Sequence, residues 1–161
     1  MFFNKKEARI LVVDDDKVLA DNFVQYLSKL GYRSSPAYSG KEGLTKFQQG
    51  DFQLVITDLK MPEMDGMGLL EEMKKLDSDV NIIVLTGFGT IESAVQAIKG
   101  GAYDYITKPI EFEEIELVVN RAMEKYTIFR QMRRFRGMFF FVLFSIPFWI
   151  LLGVLLFSVW K

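Results

Sequence analysis

Reactive side chains follow the ends of four apolar runs in this chain. They are Asp14, Asp15 and Asp16 after ILVV, Asp58 after LVIT, Thr86 at the close of NIIVLT, and Lys108 after YDYIT. Neighbouring carboxylates repel one another unless a cation joins them. The chain contains no histidine or cysteine, and an oxygen-only set of ligands suits Mg²⁺ best. The pattern therefore predicts carboxylates that hold Mg²⁺ beside a hydroxyl and an ammonium group.

Each of these features has a simpler explanation when taken alone. An acidic run after a strand often caps the next helix, and we expect Asp16 to have that role only. A single aspartate at a strand end is usually a turn residue, and Lys-Pro often begins a loop. Their occurrence together at successive strand ends favours one shared site.

Five strand-like runs alternate with helical patterns. The runs are ILVV (10–13), YRSSPAY (32–38), LVIT (54–57), NIIVLT (81–86) and YDYIT (103–107). Pro36 predicts that the second run lies at a sheet edge. The apolar helical stripes are Leu19, Phe23, Leu27 and Leu30; Leu44 and Phe47; Leu69, Leu70, Met73 and Leu76; Ile91, Val95 and Ile98; and Phe112, Ile115, Val119, Ala122 and Tyr126. This alternation predicts an α/β fold with a five-stranded, doubly wound parallel sheet, whose ligand site lies at the carboxyl ends of the strands.

Composition excludes several kinds of chemistry. Without histidine or cysteine, the chain has no Ser-His-Asp or Cys-His nucleophile, no thiolate zinc site and no disulfide. Residues 1–125 carry 15 basic and 21 acidic side chains, a net charge of −6, whereas residues 126–161 carry five basic and no acidic side chains. The sequence thus joins an acidic body to a basic, apolar tail.

The tail contains 23 consecutive uncharged residues, 138–160. As a helix they would span about 34 Å, enough to cross a bilayer core of about 30 Å. The preceding RQMRRFRG supplies four arginines, which fits the positive-inside rule. We predict a basic juxtamembrane connector at 126–137 and a transmembrane helix at 138–160, with a buried helix of a soluble oligomer as the alternative. Lipid headgroups, rather than nucleic acid, are the expected partners of the arginines.

The segments VVDDD, ITDLKMPEMDG, VLTGFGT and GAYDYITKP resemble the receiver domain of response regulators, the phosphoacceptor module of two-component signalling. The resemblance covers residue 8 to about residue 125 and implies a flavodoxin-like receiver domain at 1–125. It also implies a role for each of several residues: Asp58 as the phosphorylated carboxylate; Asp14, Asp15, Asp58 and the Lys60 carbonyl as Mg²⁺ ligands; Lys108 and Thr86 as partners of the phosphoryl oxygens; Tyr105 as an aromatic switch coupled to Thr86; and Pro109 after a cis peptide bond.

Because the chain has no histidine, a phosphohistidine donor must be another protein. We expect a histidine kinase as phosphodonor and no enzymatic activity beyond the chain's own phosphorylation and dephosphorylation. The expected function is a phosphoacceptor anchored in the bacterial inner (cytoplasmic) membrane and facing the cytoplasm. Phosphorylation would switch a contact with an unknown downstream protein or a second copy, without a DNA-binding output domain.

Three alternatives remain open at this point. The chain could be a phosphate sink that drains a kinase, or a membrane-tethered interaction module that takes no phosphate. A metal-dependent phosphatase built on a DxD motif is weaker, because the first strand ends in DDD.

Lys60 and Phe88 flank the predicted site. A bulky Phe88 predicts slower attack of water on an acyl phosphate, although the ring could equally well just cover nearby surface.

Overall fold

The computed structural model describes residues 5–128 and, beyond them, residues 145, 156, 158 and 160. The chain divides into two compact units, Met1–Tyr126 and Thr127–Lys161. The predicted connector from residue 129 onward and nearly all of the predicted span at 138–160 lie outside the described residues. Within the described part of the chain, no helix is long and apolar enough to cross a membrane.

The first unit alternates strands and helices after a short 3-10 turn at Lys5–Glu7. The elements are β1 (Arg9–Val13), α1 (Lys17–Lys29), β2 (Arg33–Ala37), α2 (Gly40–Gln49), β3 (Leu54–Thr57), α3 (Gly66–Leu76), β4 (Asn81–Thr86), α4 (Ile91–Lys99) and β5 (Asp104–Thr107). A further helix, α5, is described over residues 112–128. All five predicted strands and five predicted helices are therefore present.

The five strands form one parallel sheet in the order β2-β1-β3-β4-β5. This order confirms the doubly wound prediction and places β2, the strand that contains Pro36, at an edge. Val13 pairs with Thr57, and Thr57 pairs with Val84. Because the strands are parallel and nearly in register, the residues that follow β1, β3, β4 and β5 emerge along one edge of the sheet.

Both faces of the sheet are covered. Residues such as Ile10 and Ile83 pack with α1 and α5 on one face, and residues such as Leu11 and Val84 pack with α2 and α3 on the other. The central strands are buried on both sides, which explains why they read as continuous apolar runs. A rigid, buried sheet therefore fixes the positions of the polar residues at its carboxyl edge.

The sequence predicted that the apolar stripe of α4 packs into the core, and this prediction is wrong. Ile91, Val95 and Ile98 are 81%, 47% and 51% exposed, whereas Ala97 is the buried residue of this helix. The helix turns small residues toward the sheet, and a Cβ added at the adjoining Gly100 would lie 3.0 Å from Leu70. Apolar spacing predicted the helix correctly but not the face that is covered.

Two further stripe residues lie nearer the surface than the sequence indicated. Leu76, at the end of α3, is 54% exposed and Phe112, at the start of α5, is 39% exposed. The Phe112 ring still contacts α1, with its centroid 4.7 Å from Tyr26 and 5.6 Å from Phe23. Terminal turns extend past the edge of the core, so their apolar residues are covered only in part.

Candidate functional site

The carboxyl edge of the sheet brings Asp14, Asp58 and Lys108 together. Lys108 Nζ lies 2.9 Å from Asp14 Oδ2 and 2.9 Å from Asp58 Oδ1. The side chains of Asp14 and Asp58 are 8% and 9% exposed, and that of Lys108 is 24% exposed. One ammonium group is thus shared by two largely buried carboxylates that come from different strands.

The two carboxylates determine the protonation of Lys108. Burial alone would lower the pKa of this lysine, but the hydrogen bonds and negative charges of Asp14 and Asp58 outweigh burial and raise the pKa above its usual value of 10.5. Lys108 is therefore charged at physiological pH, and its charge is needed to offset the repulsion between the carboxylates.

Backbone N–H groups orient both carboxylates. The Lys60 N–H donates to Asp58 Oδ2 at 2.7 Å, and the Asp16 N–H donates to Asp14 Oδ1 at 3.0 Å. Each carboxylate is therefore held by one backbone donor and by Lys108. Asp58 in particular has a fixed orientation and keeps unused lone pairs on its oxygens.

The turn that carries Asp58 depends on close contact with the start of α3. The Gly66 N–H donates to the Leu59 carbonyl at 2.9 Å. A Cβ added at Gly66 would collide with the carbonyl oxygen of Asp58 and lie 3.0 Å from Leu59 Cα. Gly66 is the last residue of the ITDLKMPEMDG motif. Because it has no side chain, α3 can approach the backbone of Asp58.

Asp15 and Asp16 have different surroundings from Asp14. Asp16 caps α1 by accepting hydrogen bonds from the Val18 and Leu19 N–H groups, as predicted. Asp15 is exposed and lines an open pocket of about 580 Å³ together with Lys60, Asp65 and Ser93. Among the described residues, no group of three or more carboxylates already converges as a metal site. Asp14 and Asp58 meet at Lys108, while Asp15 lies at the pocket.

Thr86 ends β4, and Phe88 lies in the loop that follows it. Thr86 is fully buried, and its Oγ1 accepts a hydrogen bond from the Phe88 N–H at 3.2 Å. The Phe88 ring is exposed, and the ammonium of Lys60 lies 4.2 Å from its centroid. This cation–π contact joins the loop after β3 to the loop after β4 at the surface of the site.

Tyr105 lies on β5 beside α4. Its hydroxyl is 2.7 Å from Ser93 Oγ. The peptide bond between Lys108 and Pro109 is cis.

Sequence reasoning missed Ser93, the Lys60 N–H and the cation–π contact, because each depends on the meeting of separate loops. The spacing of Thr90 and Ser93, typical of a helix cap, was a signal that could have drawn attention to Ser93.

A buried carboxylate of fixed orientation, with an ammonium at 2.9 Å and a hydroxyl on the neighbouring strand, suits the transfer of an anionic group. The carboxylate can act as a nucleophile. The ammonium can neutralise charge on the incoming group, which is the main requirement of phosphoryl transfer.

Comparison with known proteins agrees with this geometry. The model of the response regulator receiver domain family matches residues 10–120. The transcriptional regulatory protein ZraR of Salmonella typhimurium is 39% identical over 114 residues, which cover 71% of this chain and 26% of ZraR. The chain therefore spans about a quarter of the length of the curated relatives that it matches.

Solved structures with the same fold are similar over most of the chain. A response regulator receiver domain protein from Clostridium thermocellum has a TM-score of 0.73 and 35% identity, covering 76% of this chain and 98% of its own. A CheY-like receiver domain protein from Methanospirillum hungatei has a TM-score of 0.73 and 33% identity, covering 74% of this chain and 96% of its own.

Replacing Lys108 with Met should destabilise the protein, because two buried carboxylates would lose their shared cation. We expect the free energy of unfolding at pH 7 to fall by about 2–4 kcal/mol. Because the pKa of Lys108 is raised in the folded protein, its stabilisation is fully present below about pH 10.5 and is lost as the pH rises through the raised pKa. Urea unfolding followed by far-UV circular dichroism at pH 7 and pH 11 measures both effects.

The matched control is Lys41→Met, which removes the exposed ion pair between Lys41 and Glu63. Such a pair contributes little, so this variant should unfold close to the wild-type midpoint. A Lys108→Met protein as stable as Lys41→Met at pH 7 would contradict the assigned role.

Proposed function

This chain belongs to the response regulator receiver domain family, and from that premise we propose that Asp58 accepts a phosphoryl group from a partner histidine kinase. The observation that carries the proposal is the environment of the Asp58 side chain. It is 9% exposed, paired with Lys108 at 2.9 Å, and oriented by the Lys60 N–H at 2.7 Å. A nucleophile held in this way needs little reorganisation before transfer.

The transfer is a displacement at phosphorus. An oxygen of Asp58 forms a new bond to the phosphorus of the partner's phosphohistidine while the phosphorus–nitrogen bond breaks. The electron pair of that bond remains on the imidazole nitrogen of the kinase. The chain has no histidine of its own, so the donor is a second protein or a small phosphodonor. On this proposal the chain catalyses only its own phosphorylation and dephosphorylation.

The donor groups at the site fit Mg²⁺. Three carboxylates and one ammonium leave an excess of negative charge, and the nearby ligands are all oxygens, which a hard cation prefers. Asp14 and Asp58 already reach a single cation, Lys108 Nζ. We assign Asp14, Asp15, Asp58 and the Lys60 carbonyl as the residues that would hold the ion, with Asp15 approaching from the pocket. When bound, Mg²⁺ would supply positive charge that neutralises the phosphoryl oxygens.

Phosphorylation would rearrange the partners of Lys108 and Thr86. Lys108 now contacts two carboxylates, and the Thr86 hydroxyl now accepts a hydrogen bond from Phe88. Lys108 would turn to the phosphoryl oxygens, and Thr86 would donate its hydroxyl to them. Tyr105 projects from β5 on the same sheet face as Val84, its register partner. Movement of Thr86 toward the site would leave room for Tyr105 to follow, which would alter the surface around α4.

We propose further that residues 138–160 anchor the chain in the cytoplasmic membrane, so that this surface contacts a downstream protein or a second copy beside the bilayer. Support comes from the sequence alone: 23 uncharged residues follow four arginines.

In carbonate-washed membranes of bacteria that express the full chain, the chain should sediment with the membrane. Leu151→Arg with Leu152→Arg should release it, since each central arginine opposes insertion by about 2.5–3.5 kcal/mol. Leu151→Ala is the control, and a wild-type chain in the supernatant would contradict the anchor.

Asp58→Asn should abolish phosphorylation. Incubation of the full chain with Mg²⁺ and acetyl phosphate should add one phosphoryl group to the wild type, seen as a mass increase of about 80 Da. The amide lacks the nucleophilic carboxylate. The control variant is Asp79→Asn, an exposed carboxylate between α3 and β4, which should be labelled like the wild type. Equal labelling of the Asp58→Asn variant would disprove the assignment.

Phe88→Ala should shorten the lifetime of the phosphorylated chain. The ring lies against the Lys60 ammonium, 4.2 Å from its centroid, and on this proposal the two side chains hinder water, so removal of the ring would open a path to the acyl phosphate. We expect spontaneous dephosphorylation to accelerate severalfold, measured by the decay of the phosphorylated mass after removal of the donor. Ile91→Ala, which truncates an apolar side chain that is 81% exposed, should decay at the wild-type rate. An unchanged rate for Phe88→Ala would show that the ring only covers surface.

A further inference from the structure

The Ser93 hydroxyl joins the first turn of α4 to strand β5. Ser93 lies in the first turn of α4, where it forms a reciprocal capping box with Thr90. Its Oγ accepts a hydrogen bond from the Thr90 N–H at 3.0 Å. The same oxygen is 2.7 Å from the hydroxyl of Tyr105 on β5. One small side chain therefore caps a helix and contacts the aromatic residue beside it.

Ser93 Oγ lies within hydrogen-bond distance of four groups, namely the N–H, the carbonyl and the hydroxyl of Thr90 and the hydroxyl of Tyr105. A serine hydroxyl has one hydrogen to donate and two lone pairs to accept with. The hydrogen can go to the Thr90 carbonyl at 3.0 Å, while the lone pairs accept from the Thr90 N–H and from the Tyr105 hydroxyl. In that arrangement Tyr105 is the donor, and the Thr90 hydroxyl, 3.2 Å from Ser93 Oγ, accepts from the Ser93 N–H without donating to Ser93 Oγ. The contact with Tyr105 and the cap can thus exist together.

Tyr105 also packs against the loop between β4 and α4. A Cβ added at Gly89 would lie 3.3 Å from the Tyr105 hydroxyl and would collide with the Thr107 side chain. This loop begins at Thr86, whose hydroxyl accepts the N–H of Phe88. The Tyr105 side chain therefore contacts both the first turn of α4 and the loop that follows Thr86.

Helix α4 has few other attachments to the core. Within α4, all of which is described, Ala97 is the buried residue, and the apolar side chains of Ile91, Val95 and Ile98 are largely exposed. A helix that buries so little apolar surface can shift with a small loss of packing. The bond from Ser93 to Tyr105 is then one of the contacts that hold its first turn against β5.

We propose that Ser93 is a positioning residue that sets the balance between two conformations of the site. By accepting the Tyr105 hydroxyl, it holds Tyr105 against α4 and favours the arrangement in which Lys108 is paired with carboxylates and Thr86 with Phe88. A phosphoryl group on Asp58 favours the opposite arrangement, so it must break this bond. The inference rests on the proposed function of Asp58. By linkage, loss of the Ser93 hydroxyl should strengthen binding of a phosphoryl group or its mimic.

The test is a double-mutant cycle on the full chain in detergent with Mg²⁺. The probe is beryllium fluoride, a tetrahedral mimic of a phosphoryl group, and its Kd is measured by calorimetry for the wild type, Ser93→Ala, Tyr105→Phe and the double variant. Each single change removes the same hydrogen bond, so each should lower Kd by about two- to tenfold. The double variant should bind no more tightly than the tighter single variant, because the bond can be lost only once.

Two further variants separate positioning from helix capping. Thr90→Ala removes the other hydroxyl of the capping box but leaves the Ser93 hydroxyl and Tyr105 in place. It should weaken the helix without changing Kd more than about twofold. Ser93→Thr keeps a hydroxyl and should bind like the wild type.

The outcomes distinguish the inference from the proposed function. If the wild type binds the probe, Asp58→Asn does not, and Ser93→Ala has the wild-type Kd, the role of Ser93 is wrong and the function of Asp58 stands. Additive single effects, or a Thr90→Ala variant that matches Ser93→Ala, would also overturn the inference. If Asp58→Asn binds as tightly as the wild type, or neither binds, the proposed function fails and the inference fails with it.

Discussion

Lys108 lies 2.9 Å from each of two carboxylates that come from different strands, and the site depends on this shared ammonium. Two carboxylates buried side by side would repel each other, and one positive charge offsets part of that repulsion. The remaining negative charge leaves a place for a second, harder cation. A group that takes Lys108 away from the carboxylates must itself supply a comparable interaction. The arrangement is therefore stable until another group binds Lys108 as well as the two carboxylates do.

The parallel sheet makes that arrangement possible. Asp14, Asp58 and Lys108 are separated by up to 94 positions in the chain, but each follows directly on a strand. The strands are buried on both faces, so a shift in register would expose apolar residues throughout the core. Gly66 completes the arrangement by letting α3 approach the backbone of Asp58. The precision of the site comes from the rigidity of the sheet beneath it.

The most lightly packed helix of the sheet's covering layers is α4, which has a single buried residue, whereas α1, α2 and α3 have three or four each. This helix exposes Ile91, Val95 and Ile98 and buries Ala97, and its first turn is tied to β5 through Ser93 and Tyr105. A firmly held carboxylate, that of Asp58, thus lies in the same site as residues next to a lightly held helix. In such a combination, a small change in hydrogen bonding at the sheet edge can move α4 and so alter the surface of the protein. The helix has little packing that would resist this movement.

The sequence by itself determined the alternation of strands and helices, the edge position of β2 and the residues at the carboxyl edge, because burial on both faces makes apolar strands conspicuous and strand ends are local features. It also determined the capping role of Asp16. Only the tertiary structure decided that Lys108 lies between Asp14 and Asp58 while Asp15 lies at the pocket. It alone decided that α4 turns Ala97 inward and that Ser93 meets Tyr105. Those facts depend on how separate loops and faces meet, and helical periodicity carries no information about which neighbour, if any, covers a face.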